Sequence, residues 1–411
     1  MTETTLAPAP APATGTASEH HHVLIVGGGT AGITLGARLR RTLGAGALAI
    51  VEPSERHYYQ PLWTLAGGGV VDKRASERRE ESLIPAGATW IRDAASRFEP
   101  DESAVVTSGG RRVTYDVLVV APGIRIDWDA IPGLVAGLAD GSVCSIYAYD
   151  TVDRAWERIR DFPGGTAVFT FPGTPVKCPG AAQKIMYLAD DHWRRTGVRG
   201  GSRIVFGSAA PGIYGVERYA KTLRRVVERK GIETWFRHEL VEIRSDAREA
   251  VFESLESGER VTVAYDLLHV TPRQSAPDVV ARSPLAGEGG WLELDEHTLQ
   301  HARYPNVFGL GDAAGLPTAK TAAAVRAQAK VVARNVAAAV AGEPPPARYD
   351  GYTACPIVTG YGKLVLAEFD YDLVPRETFP FDQSKERWSM YQLKKRGLPL
   401  LYWQGMMRGR A

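Results

Sequence analysis

Val23-Leu24-Ile25-Val26-Gly27-Gly28-Gly29-Thr30-Ala31-Gly32 is a short apolar run that breaks into glycines, and residues 33–42 after it have a helical pattern. The apolar run reads as a buried strand. Gly27-x-Gly29-x-x-Gly32 therefore stands between a strand and a helix, where a dinucleotide-binding turn requires it. Gly27 allows the tight turn, Gly29 lets backbone approach a pyrophosphate, and Gly32 lets the helix pack closely on the strand. The helix N-terminus offers free N–H donors and a positive dipole end to phosphate oxygens. A second strand over 47–51 runs into Glu52, 20 residues past Gly32, where a carboxylate can accept from a ribose hydroxyl. This βαβ unit makes Gly27, Gly29, Thr30, Ala31, Gly32 and Glu52 candidate ligands of a dinucleotide.

Outward from that unit, strands are expected at 104–107 and 115–121, and a helix around 151–161. A second round follows: strand 166–171, helix 180–195, strand 203–206 and helix 216–230. Shorter strands fit 234–243, 249–254, 260–264 and 266–270. A strand at 306–310 then leads to an Ala-rich helix at 321–340. Two rounds of alternating strands and helices predict an α/β protein with two tandem Rossmann-like domains. The expected boundaries are a disordered tail at 1–21, a first dinucleotide-binding part at 22–150 and a second Rossmann-like domain at 151–290. The first domain resumes at 291–342. A C-terminal module, 343–411, begins at the linker Glu343-Pro344-Pro345-Pro346.

Composition narrows the function classes. The 411 residues carry 49 Lys and Arg against 47 Asp and Glu, a net charge of +2, which argues against a nucleic-acid binder. No run approaches the roughly 18 apolar residues of a membrane span. Three cysteines exclude a disulfide scaffold and a zinc-finger array, so no metal site is expected. His20-His21-His22 reads as incidental. The near-neutral total hides an asymmetry: from Lys385 to Ala411 seven basic residues face only Glu386. With Leu398 to Trp403, Met406 and Met407, this is either a helix packed on the core with a solvated basic face, or a surface that meets an anionic membrane.

A second motif selects the dinucleotide. Asn306-Val307-Phe308-Gly309-Leu310-Gly311-Asp312 resembles the strand motif of two-dinucleotide, glutathione-reductase-like flavoproteins, in which the Asp holds the ribityl chain of FAD. Tyr115 to Gly123 is similar to their middle strand, with Pro122 where a small residue or Thr is usual. Lys320, at the start of the next helix, is either a surface lysine or a cation for the flavin pyrimidine edge. In the second domain, residues 172–180 carry three prolines and no glycine fingerprint, which disfavours a nicotinamide partner. That loop carries Cys178 before a helix, a position that lowers a thiol pKa. Cys355 lies 177 positions further on and Cys144 precedes both. There is no C-x-x-C, and by pattern alone the ordinary state of each is an inert, buried thiol.

Longer stretches are more specific. Residues 52–65 (EPSERHYYQPLWTL), 170–187 (TFPGTPVKCPGAAQKIMY), 355–361 (CPIVTGY) and 377–387 (ETFPFDQSKER) resemble the mitochondrial-type sulfide:quinone oxidoreductases, a match running from about residue 22 to 408. The resemblance implies a redox disulfide between Cys178 and Cys355, with or without an extra sulfur, beside the flavin. Hydrosulfide would leave a persulfide on Cys355, and the freed Cys178 thiolate would attack or stack on the flavin. Glutathione, coenzyme A or sulfite would take the sulfane sulfur, and ubiquinone or another membrane quinone would take both electrons. It adds Gln60, Ala95 (by backbone), Gly311, Asp312 and Lys320 to the FAD contacts. Ile357, Tyr361 and Phe381 mark the region of the quinone site, and a homo-oligomer is compatible.

The chain departs from the family by stopping soon after Arg408, which leaves a peripheral attachment through Leu398 to Met407. With no presequence pattern and few lysines, it is expected to be a bacterial enzyme on the cytoplasmic side of the inner membrane. Two rival readings share the fold: an NADH:quinone dehydrogenase or disulfide reductase, and a non-catalytic flavin redox sensor.

Overall fold

The computed structural model describes residues 19–411. Positions 1–18 of the expected tail lie outside the described residues. β1 (Glu19–Val26) begins inside the expected tail, because Glu19 to His21 pair in parallel with Val113 to Tyr115. Period-two alternation exposes His20 and His22 beside Asp116 and turns His21 inward. α1 (Thr30–Leu43) and β2 (Leu48–Val51) complete the βαβ unit. There follow β3 (Thr89–Ile91), β4 (Ala95–Glu99), β5 (Ala104–Thr107) and β6 (Arg112–Val120).

The second unit contains β7 (Val143–Cys144), β8 (Gly165–Phe171), α2 (Ala181–Thr196), β9 (Ser202–Ser208), β10 (Glu233–Phe236) and β11 (Leu267–His269). The chain returns through β12 (Val307–Gly309) and α3 (Ala322–Val340). It ends in a hairpin, β13 (Thr353–Gly360) and β14 (Lys363–Phe369), and a helical segment from Trp388 to Arg408.

The first sheet has the order β3-β2-β1-β6-β5-β4. β5 pairs with the start of β6, and β12 takes its last residues, Leu118 to Val120. That pairing brings the Asp312 turn beside the fingerprint glycines. The second sheet is parallel, in the order β7-β11-β8-β9-β10. It already takes in Val143 and Cys144, ahead of the boundary expected at 150. The strand expected over 234–243 breaks at Arg237, which has a φ of 55°, and a three-stranded antiparallel sheet starts at His238.

Parallel strands covered on both faces must be apolar throughout. Val23, Leu24 and Ile25 are accordingly fully buried. Leu35 and Leu39 of α1 share a core with Val332 and Val336 of α3. Full burial of such a side chain contributes about 1.5–3 kcal/mol. α2 packs on β13, which sets the loop before α2 against the middle of that strand.

Candidate functional site

A cavity of about 490 Å³ opens at the carboxyl ends of β1 and β6. Its walls come from the fingerprint turn, the loop before α2, the turn after β12, the start of α3 and the C-terminal segment. The glycines have separate duties. Gly27 has φ 106°, and a Cβ there would stand 2.3 Å from the Ala121 carbonyl oxygen. A Cβ on Gly32 would meet the Gly27 oxygen at 1.8 Å, so Gly32 is the packing glycine and lies behind the cavity. A Cβ on Gly29 would meet nothing within 4 Å. Gly29 caps α1 with no side-chain acceptor, and the first turn has no acid, so the helix N–H donors stay available to an anion. Glu52 lines the cavity and accepts from the amides of Gly28 and Ser54, both at 2.7 Å. Burial raises its pKa against those two bonds.

Thr30, Ala31, Gln60, Gly311, Asp312 and Lys320 also line the cavity. Burial raises the Asp312 pKa, and the cations of Lys320 and Lys177 oppose this. An acid at the ribose end, open glycine and helix donors for a diphosphate, and a buried Asp for polyol hydroxyls fit FAD. The placements of Ala95 and Lys320 add detail to the expectation. Ala95 does not line the cavity; it opens β4, pairs with Thr107 and packs on the sheet core. The Lys320 ammonium donates to the carbonyls of Asp312 and Ala314, at 2.7 and 2.9 Å, and stands 4.0 Å over the Trp291 ring. It secures the Asp312 turn while lining the cavity, and burial lowers its pKa to about 8.

The two cysteines meet at the wall of this cavity. Cys178 has φ 52°, a left-handed conformation that costs a non-glycine residue about 1–2 kcal/mol. Its amide donates to the Lys320 carbonyl at 2.8 Å. Cys355 reaches it from β13 because Gly180 has no side chain: a Cβ there would lie 2.6 Å from the Cys355 sulfur. The two thiols stand close enough for each to shift the other's ionisation. Lys184, in the first turns of α2, donates to the Cys178 sulfur at 3.1 Å. The neighbouring Cys355 thiol and the Lys184 charge hold the Cys178 pKa well below that of a free thiol, against burial. The neighbouring Cys178 and burial push Cys355 well above it. Of the reduced pair, Cys178 is therefore the sulfur that ionises more readily. Burial disfavours the Lys184 cation, but the two sulfurs outweigh this and raise its pKa. Lys394, whose ammonium donates to the Pro61 carbonyl at 2.9 Å, is pushed down to about 7 by burial and by Lys184.

Strand alternation separates the roles further. Ala354 and Pro356 line the cavity, whereas Cys355 and Ile357 lie in the core formed with α2. Cys178 lines the cavity and Cys355 stands behind it. Ile357, Tyr361 and Phe381, expected near a quinone, do not line the cavity; Pro356 and Phe379 do. The residues that the sequence reading missed are Lys184, Lys394, His57, Glu80 and Tyr402.

Cys144 is apart from this centre. It is buried in the second core, and burial pushes its thiol up to about 12. Cys144→Ala is expected to leave turnover within about twofold of wild type. Native-state alkylation should label Cys178 and not Cys144.

The pyridine nucleotide-disulphide oxidoreductase family pattern matches residues 21–158. The mitochondrial sulfide:quinone oxidoreductase of Mus musculus is 48% identical over 395 residues, covering 96% of this chain and 88% of that one. The mitochondrial sulfide:quinone oxidoreductase of Dictyostelium discoideum is 44% identical over 391 residues, covering 94% and 86%. The crystal structure of the sulfide:quinone oxidoreductase of Aquifex aeolicus has a TM-score of 0.81 at 18% identity, covering 95% and 92%, a likeness of fold. The expected bacterial inner-membrane location is corrected by these relatives, which are mitochondrial proteins of eukaryotes. Low lysine content was a weak guide to compartment.

Proposed function

The chain belongs to the mitochondrial-type sulfide:quinone oxidoreductases, and from that premise we propose how its residues oxidise hydrogen sulfide and deliver two electrons to a membrane quinone. The observation that carries the reading is the cluster of Cys178 and Lys184 in the wall of the FAD cavity, with Cys355 directly behind it. In the oxidised enzyme the two sulfurs form a disulfide. Hydrosulfide attacks the Cys355 sulfur, the S–S bond breaks, and Cys178 leaves as a thiolate paired with Lys184. Cys355 then holds a persulfide. A small thiolate or sulfite attacks its outer sulfur and departs with it, leaving Cys355 as a thiolate. FAD, which the fingerprint turn, Glu52 and Asp312 would hold in the cavity, would supply the two-electron acceptor as the thiolates return to the disulfide, and quinone would be the final acceptor of the pair. The Lys184 ammonium beside the sulfurs favours hydrosulfide over neutral hydrogen sulfide.

The quinone enters from the C-terminal side, where Phe379, Met390, Leu393, Leu398, Leu401 and Met406 form an apolar wall. Trp388 and Leu400 are 67% and 64% exposed on the same segment, with exposed Arg396 between them. No helix among the described residues is long and apolar enough to cross a membrane. This segment supports peripheral docking on an anionic bilayer, each surface cation contributing about 1 kcal/mol. Leu400→Asp is expected to weaken co-sedimentation with phosphatidylserine-containing vesicles about tenfold, with sulfide reduction of the flavin in solution unchanged.

The testing experiment mixes the anaerobic holoprotein with sulfide and then with decylubiquinone, following the flavin absorbance. Sulfide should bleach or shift the band, and quinone should restore it over many turnovers. Bleaching by NADH and not by sulfide would favour a dehydrogenase. Bleaching by sulfide without turnover would favour a redox sensor.

A further inference from the structure

Behind the fingerprint turn lies a buried hydrogen-bond chain that the sulfur chemistry does not use. The His57 Nδ1 atom is 3.1 Å from Glu80 Oε2 and 3.2 Å from the Gly28 carbonyl oxygen. His57 Nε2 is 2.5 Å from the Tyr402 hydroxyl, which is 2.8 Å from the Thr30 hydroxyl. Glu80 and Tyr402 are 1% exposed and His57 is 3% exposed. Thr30 and Tyr402 both line the FAD cavity. The chain therefore joins a C-terminal side chain to the phosphate-binding turn.

Donor directions give the chain its meaning. Nδ1 faces two acceptors, so it carries a proton. With a neutral imidazole, Nε2 accepts from Tyr402, and Tyr402 must accept from Thr30. The Thr30 proton is then committed to Tyr402 and is not free for a phosphate oxygen. With an imidazolium, Nε2 donates to Tyr402, Tyr402 donates to Thr30, and the Thr30 proton is free for an anion. An anion bound at the turn favours this second direction, in which Glu80 Oε2 lies 3.1 Å from the Nδ1 donor. The other Glu80 oxygen, Oε1, is buried without a partner, and a Cβ built on Gly28 would lie 2.8 Å from it.

We propose that Tyr402, aligned by His57 and Glu80, is a positioning residue for FAD: it turns the Thr30 hydroxyl toward the diphosphate and thereby fastens the C-terminal segment over the bound cofactor. The rest of that segment is held nearby. Arg41 of α1 donates to the Gly409 carbonyl at 3.2 Å, and Lys394 holds Pro61. Cofactor retention and C-terminal docking are therefore one linked equilibrium, in which each favours the other. The proposal rests on FAD occupying the cavity and not on the sulfur chemistry, so it is tested without sulfide or quinone.

The experiment dilutes the holoprotein and follows the rise in free flavin fluorescence. Tyr402→Phe and Thr30→Val are each expected to release FAD at least tenfold faster, and Thr30→Ser to stay near wild type. The double variant Tyr402→Phe/Thr30→Val should be no faster than either single variant, because Tyr402 acts through Thr30. Release from Tyr402→Phe within twofold of wild type, or multiplied effects in the double variant, would overturn the proposal. A second measurement does not depend on Tyr402→Phe folding. Trypsin cleavage after Lys395 and Arg396 is compared in the full chain with and without FAD. FAD should slow cleavage severalfold in wild type and not in Thr30→Val. Equal cleavage with and without FAD in wild type would also overturn it.

Discussion

Cys178→Ser and Cys355→Ser are each expected to lower sulfide-dependent quinone reduction by at least about a thousandfold, because neither variant can form the disulfide that hydrosulfide attacks. A hydroxyl can occupy either position but cannot form the bond that opens. The two variants should differ in thiol chemistry. In Cys355→Ser, the hydroxyl can still donate to Cys178, which also keeps the Lys184 ammonium at 3.1 Å. Cys178 should still alkylate faster with iodoacetamide at neutral pH than a free cysteine. In Cys178→Ser, the remaining thiol is the buried Cys355, away from the cavity lining, and it should react slowly. FAD content should be unchanged in both, since neither cysteine lies among the phosphate or ribose contacts. Turnover above about a tenth of wild type in either variant would remove the disulfide from the mechanism.

That contrast shows which parts of the site were legible in sequence. Gly27, Gly29, Gly32 and Glu52 were readable because their duties follow from local spacing inside one βαβ unit. Asp312 was readable because a strand ending in Gly-Asp is also local. The strand-helix alternation of both domains follows from hydrophobic periodicity, and the helices at 152–160, 181–196 and 217–230 lie close to where it places them.

What composition and spacing could not supply was tertiary adjacency. The partnership of Cys178 with Cys355 came from family resemblance, because the fold alone brings β13 against Gly180. Lys184 carried a faint local signal, six positions after Cys178 in the first turns of a helix. Lys394 carried none beyond belonging to a basic segment. The link between His57 and Tyr402 spans 345 positions. The break at Arg237 was hidden because nothing in a single arginine announces a left-handed backbone. The early start of β1 was hidden because three histidines do not resemble a strand until their pairing partners at 113–115 are known.

Lys184→Met is expected to produce the second large effect, and its direction follows from the charge pair. In the wild-type protein the Cys178 thiol ionises well below its ordinary range. Removing the adjacent cation raises that pKa, since an opposite charge in contact shifts a group by about 1–3 units. Below the new pKa the thiolate fraction falls tenfold for each pH unit. Iodoacetamide labelling of the reduced protein should therefore be nearly flat across neutral pH in wild type. In the variant it should be slower at pH 7, by up to about tenfold for each unit of that rise, and should recover as pH rises. An unchanged pH profile would mean that Lys184 does not hold the thiolate. The same ion pair bears on the redox balance. In the disulfide state the buried Lys184 ammonium has lost its thiolate partner and is stabilised again only when Cys178 is released. The cation thus favours the reduced form and makes the disulfide a better oxidant, as any group that stabilises a thiolate must. Each unit by which the pKa rises in Lys184→Met should lower the disulfide potential by about 30 mV in a glutathione titration. A slower thiol and a more reducing couple in the same variant would tie both properties to one ammonium group.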